Sequence, residues 1–69
     1  MGLLNTVREH RNAMGLTQED LSKAVGVSRQ TVIAIEKGEY TPSTTLALRL
    51  SQVFGTTVES IFRICDEGE

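Results

Sequence analysis

Apolar residues recur along the chain at spacings of three and four, in short runs closed by glycine. That is the period of amphipathic helices with marked stops. The first run, from about Thr6 to Met14, places Leu4, Val7, Arg11 and Met14 on one stripe and stops at Gly15. The second start is the best marked. Thr17 can cap, Asp20 can reach back three residues later, and Leu16 and Leu21 stand at staple positions. This helix is expected to bury Leu21, Ala24 and Val25 and to break at Gly26. Ser28 caps the third, with Val27 and Val32 as its staple. A fourth follows Pro42, capped by Ser43, burying Leu46, Leu50, Val53 and Phe54 before Gly55. Thr57 then caps a short fifth turn carrying Val58, Ile61 and Phe62. After it, "IFRIC" can run on as an extended segment, and Leu3 and Leu4 could pair with 62–65 as a short strand.

The second and third helices are separated by about three residues centred on Gly26, the spacing of a helix-turn-helix over 18–37. Two charges break the apolar stripes. Arg11 sits where the first helix calls for a leucine, and Glu36 lies four residues after Val32 on the inward side of the third. A lone buried carboxylate would cost several kcal/mol or take up a proton. A structural Arg11–Glu36 ion pair is therefore expected, docking the third helix on the first. The bland alternative is that both side chains reach solvent separately.

Composition narrows the function. Sixty-nine residues allow one domain, with 39% hydrophobic residues and only three aromatics for its core. Cys65 is the single cysteine, so neither an intrachain bridge nor a thiolate metal cluster can form. No apolar run is long enough to span a bilayer and no signal-peptide pattern is present, so a cytoplasmic location without membrane contact is expected. The formal charge of −2 argues mildly against nucleic-acid binding. However, Asp66, Glu67 and Glu69 crowd an acidic tail at 66–69, and without them the charge is +1. A binder so mildly charged should show a modest salt slope.

With Val32 and Ile35 turned inward, the third helix exposes Arg29, Gln30, Ala34 and Lys37, with Thr31 near its start. In a helix-turn-helix the second helix of the pair enters the major groove, its first residues meeting base edges. Arginine can give two hydrogen bonds to guanine O6 and N7, and glutamine pairs similarly with adenine. Phosphate contacts are expected around that helix, from Thr17 and Gln18 at the positive end of the second helix and from Lys37, Tyr40 and Thr41 beyond the third. Tyr40 can equally pack over its loop. Gln18 can equally be an ordinary first-turn residue. Glu39 is a poor companion for phosphate.

The run "TQEDLSKAVGVSRQTVIAIEKGEYTPS" resembles the helix-turn-helix of Cro/cI-type regulators, the xenobiotic-response-element family. The likeness rests on Gln18, Ser22, Gly26, Val32, Ile35 and Glu36, and "LALRLSQVFGTTVESIF" resembles the fourth and fifth helices. The resemblance implies an all-α, five-helix, Cro/cI-like domain over 1–69 with a short terminal two-stranded β-sheet. It also implies a sequence-specific regulator of transcription, acting as a repressor on double-stranded DNA. Gln18, Ser28, Arg29, Gln30, Thr31 and Lys37 occupy its DNA-contacting positions, and Arg11 and Glu36 its ion pair. Two departures stand out. Ser22 replaces the usual alanine and its hydroxyl needs a partner, while Ala34 stands where many relatives carry a longer polar side chain.

One recognition helix covers few base pairs, so a symmetric homodimer on a palindromic site is expected. Its interface is assigned to 58–65 with the opposite end of the chain: Leu3, Leu48, Ile61, Phe62 and Ile64, with Arg49 at the rim. The alternative is that these residues only complete the monomer core. A competing function is an antitoxin-like or adaptor module with a structural helix-turn-helix, although such modules usually carry a long arm that these residues lack. Enzymatic activity is not expected. His10 reads as a solvated residue, and no clustered catalytic, metal or cofactor residues are present. Without an effector domain, any signal would come through a partner protein, competition for DNA, or protein level.

Overall fold

A computed structural model describes residues 2–65 of the chain. Along it run β1 (Gly2–Asn5), α1 (Val7–Ala13), α2 (Gln18–Val25), α3 (Arg29–Glu36), α4 (Thr44–Phe54), α5 (Val58–Ile61) and β2 (Phe62–Cys65). The acidic tail lies outside the described residues.

Local chemistry sets most of these boundaries. Thr17, Ser28, Ser43 and Thr57 each accept a backbone N–H three residues on, the N-cap bond that satisfies a free helix donor. At α2 the cap is reciprocal. Asp20 N–H donates to Thr17 Oγ1 at 2.9 Å, and Thr17 N–H donates to Asp20 Oδ2 at 3.0 Å. α1 opens differently: Thr6 makes no side-chain cap, and Asn5 Oδ1 accepts the Val7 N–H at 3.1 Å instead. The second Asn5 group, Nδ2, donates to the Ile35 carbonyl at 2.9 Å and ties β1 to the end of α3.

The core gathers Val7, Leu21, Val25, Val32, Ile35, Leu46, Leu50 and Ile61, so every helix contributes. Leu16, Val27, Val53, Phe54 and Phe62 pack around it half-buried. Three expected core positions differ. Met14, the C-cap of α1, is 51% exposed because the helix has already ended beneath it. Leu4, on β1, is also exposed. Ala24 is exposed as well, because Ser22 and Ala24 flank the Leu21–Val25 stripe on opposite sides and only the Ser22 side meets the core. Buried Ser22 finds its partner in its own helix, donating to the Glu19 carbonyl at 2.7 Å.

β1 and β2 pair antiparallel, with Leu3 opposite Ile64 and Asn5 opposite Phe62. Opposed residues share a face, so Leu3, Phe62 and Ile64 lie together. Thr6 extends this closure: its N–H donates to the Ile61 carbonyl at 2.8 Å and its hydroxyl to the Ser60 carbonyl at 3.2 Å. His10 is half-buried rather than solvated. Its ring stacks on Phe54 with centroids 5.2 Å apart, and Nδ1 lies 2.9 Å from the Thr6 carbonyl.

Candidate nucleic-acid interface

Three residues, 26–28, join α2 to α3, and the turn is held from a third helix. Gly26 adopts a left-handed conformation (φ 78°), capping α2. Arg49 of α4 donates through Nη1 to the Val25 carbonyl at 3.3 Å, placing a cation at the negative end of α2. The same nitrogen would sit 3.0 Å from any Cβ at position 26. The turn therefore favours glycine for its φ, and a Cβ there would also press the Arg49 side chain away from the Val25 carbonyl. Arg49, expected at the rim of a dimer patch, also supports the helix-turn-helix.

The expected ion pair forms. Arg11 Nε donates to Glu36 Oε2 at 2.7 Å and Nη2 lies 3.4 Å from Oε1, a two-point contact with a carboxylate whose side chain is 1% exposed. Arg11 Nη1 also donates to the Leu16 carbonyl at 2.9 Å. One guanidinium thus fixes α1, the α1–α2 turn and the end of α3 together. Gln18 Nε2 donates to Glu36 Oε1 at 3.2 Å. One of the two Gln18 N–H groups is thereby committed to the protein.

Docked this way, α3 turns Val32 and Ile35 inward and leaves Ser28, Arg29, Gln30 and Lys37 exposed. Thr31 and Ala34 are half-buried. The hydroxyls of Ser28 and Thr31 lie 3.1 Å apart and share a hydrogen bond, so the cap partly occupies both. Tyr40 and Thr41 are exposed in the segment that follows, as is Thr17 at the head of α2. The exposed rim at the start of α3 adjoins an open cleft of about 720 Å³ lined by Arg8, Arg11, Asn12, Thr17, Gln18 and Arg29, among others. Arg8 and Asn12 were not anticipated. Arg8 stands three residues before Arg11, on the same face of α1, and that spacing was the available signal.

Asp20 is the titrating group that the cap perturbs. The Thr17 backbone N–H, and after it the Thr17 hydroxyl, hold its carboxyl below the ordinary value of 3.8. The ionised form is favoured, which strengthens the negative charge at the start of α2 where the dipole accepts it. Glu19 and Lys23 lie 3.9 Å apart on the exposed side of the same helix, a surface pair of little energetic weight.

The assigned partner-facing residues divide. Leu48 and Ile64 are 51% and 60% exposed, and Leu3 and Phe62 are half-buried. Leu3, Leu48 and Phe62 line an apolar groove of about 260 Å³ with Pro42, Ala47 and Val58. Ile61 does not belong with them. It is 1% exposed inside the monomer core, where the fifth helix turns it inward, and it has no surface to offer a partner.

Comparison with known proteins places this arrangement. The helix-turn-helix family model matches residues 7–61. An uncharacterized HTH-type transcriptional regulator of Methanothermobacter thermautotrophicus is 51% identical over 63 residues, covering 90% of this chain and 91% of that one. The uncharacterized HTH-type transcriptional regulator YgzD of Bacillus subtilis is 48% identical over 63 residues, covering 91% and 96%. Among solved structures, the restriction-modification controller protein C.AhdI of Aeromonas hydrophila is similar with a TM-score of 0.72 and 31% identity, over 78% of this chain and 82% of that one. The chain belongs to the Cro/cI-type helix-turn-helix family and is a transcriptional regulator with a helix-turn-helix DNA-binding domain.

Proposed function

We propose that the chain is a sequence-specific repressor that works as a homodimer on a palindromic operator and blocks a promoter by occupying it. The observation that carries this reading is the two-sidedness of α3. Its inward side is pinned by Val32, Ile35 and the Arg11–Glu36 pair, while Arg29 and Gln30 stand exposed at its start. Rigid placement of those two side chains is what base reading needs, since each good two-point contact supplies about 1–3 kcal/mol of discrimination. Lys37, Tyr40, Thr41, Thr17 and the second Gln18 N–H supply phosphate contacts that set register without reading sequence.

The homodimer uses the apolar surface of exposed Leu48 and Ile64 and half-buried Leu3 and Phe62, which supports burial against a second copy. Among the described residues no helix is long and apolar enough to cross a membrane, and the working location is the cytoplasm. The protein binds without catalysing, and any inducing signal reaches it through a partner or through competition for DNA.

Selection of bound sequences from a random duplex pool tests this reading. The expected result is an inverted repeat whose half-sites lie about one helical turn, roughly 34–36 Å, apart. A pool with no enriched sequence would overturn it and favour a protein-interaction module.

A further inference from the structure

We infer that Ile33 determines part of the sequence preference by reading the 5-methyl group of a pyrimidine in the major groove. The inference rests on the DNA-binding reading above and makes binding responsive to the presence of one methyl group. Along α3, Val32 and Ile35 are each 2% exposed and belong to the core. Ile33 lies about 100° round the helix from Val32 and is half-buried. Among the described residues, the half-buried apolar side chains packed on the core are Leu16, Val27, Val53, Phe54 and Phe62, and Ile33 is not one of them. The core thus accounts for Val32 and Ile35 and leaves Ile33 over. Spacing places it on the outward side. It stands four residues after Arg29, three after Gln30 and four before Lys37, all of them exposed.

A β-branched hydrocarbon among three hydrogen-bonding side chains is a poor choice for a solvated helix surface, where straight-chain polar residues form helix better. It suits one feature of the groove. Thymine shows a methyl group there at C5, whereas cytosine shows an N4 amino donor and the purines show N7 acceptors. Ile33 has nothing to accept the cytosine N4–H, so burying that donor against it carries a desolvation cost. Ala34, the next residue, is half-buried and ends at its own methyl, so it leaves the approach open. Continuity with Arg29 and Gln30 favours DNA over a protein as the occupant of this side. Ile33 lies about 4.5 Å along the axis from Gln30, so the two meet bases one to two steps of about 3.4 Å apart. 5-Methylcytosine carries the same methyl group at the same edge, so the chemistry recognised is that of a 5-methylpyrimidine.

The test is fluorescence anisotropy of the full chain on the selected operator, with each thymine of one half-site replaced in turn by deoxyuridine. That exchange removes the methyl group alone. One thymine, within about two base pairs of the adenine that Gln30→Ala ceases to distinguish, should weaken binding about fourfold when replaced. Fourfold corresponds to about 0.8 kcal/mol, the worth of one buried methylene-sized group. Ile33→Ala should lose this uracil penalty and Ile33→Val should keep most of it, with binding to random DNA unchanged in both. Cytosine at the same position should weaken binding further than uracil, and 5-methylcytosine should bind about fourfold more tightly than cytosine. A methyl gain with both bases makes binding responsive to cytosine methylation, and a gain with thymine alone confines the contact to thymine. The uracil series on the unaltered protein decides the matter even where Ile33→Ala fails to fold. No uracil penalty at any thymine, with Gln30→Ala still losing the operator selectively, overturns the methyl contact and leaves the DNA reading standing. A penalty that Ile33→Ala retains overturns the assignment to Ile33. A pool with no enriched sequence overturns both readings.

Discussion

Arg11 and Glu36, 25 residues apart in sequence, meet through two N–H···O contacts in a site where the carboxylate is 1% exposed. The pair is structural, since it locks the end of α3 onto α1 and, through the Leu16 carbonyl, onto the turn before α2. Removing one member strands the other in the interior. Glu36→Gln is therefore expected to lower stability by about 3–5 kcal/mol, read as a shift of the denaturant midpoint. Replacing both members by apolar residues, Arg11→Met with Glu36→Leu, should cost less than either single change. A midpoint that Glu36→Gln leaves in place would mean the pair contributes nothing to docking.

Gly26 and Gly38 share the same φ of 78° but not the same surroundings. A Cβ at position 38 meets nothing within 4 Å, whereas one at position 26 meets Arg49 Nη1 at 3.0 Å. Gly38→Ala should cost the left-handed penalty alone, about 1–2 kcal/mol. Gly26→Ala should cost more by the displaced Arg49–Val25 bond, about 0.5–1.5 kcal/mol further. In an Arg49→Ala background the two substitutions should cost the same. Chemical denaturation of the four combinations measures this as a coupling energy.

Asp20 gives the acid limb of the stability curve a definite sign. Its folded-state pKa is lowered by the Thr17 N–H and hydroxyl, so folding favours the ionised carboxylate. The contribution is fully present above the ordinary value of 3.8 and disappears as pH falls through the lower folded value. Asp20→Asn should flatten the stability profile in that window and leave its shape above it unaltered. An NMR titration of the Asp20 carboxyl should place its midpoint below 3.8.

Leu48 and Ile64 carry the test of self-association, because both are more than half exposed and neither belongs to the core. Leu48→Asp or Ile64→Asp should leave the helical content intact and halve the mass seen by light scattering at micromolar concentration. Removal of 61–69 would not be a clean substitute, because it takes Ile61 from the core and β2 from the sheet. An unaltered mass in both variants would move the interface elsewhere.

The parts of the fold that the residues announce are those whose chemistry is local. Thr17 with Asp20, Ser28, Ser43 and Thr57 cap helices because each partner lies three residues away. Arg11 and Glu36 could be paired at long range because each was a charge on an apolar stripe. The Asn5–Ile35, Arg49–Val25 and His10–Phe54 contacts were not legible in the same way. Two of them join a side chain to a distant backbone carbonyl, which no periodicity encodes. In the third, His10 meets an aromatic 44 residues on, so a ring that looked solvated is half-buried. Ile61 misled for a related reason: an apolar residue next to a terminal strand can face the core or a partner, and α5 turns it to the core. The exposure of Arg29 and Gln30 followed from the inward stripe of α3, but Arg8 needed the neighbouring helix to show which cleft it lines.

The most direct test of the account compares Gln30→Ala with Lys37→Ala on two duplexes, the selected operator and random DNA, at one stated salt concentration. Gln30 is assigned to a base edge and Lys37 to a phosphate. Gln30→Ala should weaken operator binding by about 1–3 kcal/mol while leaving random DNA nearly unaffected. Lys37→Ala should weaken both together and lower the salt slope by about one. Equal losses on the two duplexes for Gln30→Ala would contradict the placement of α3 in the groove.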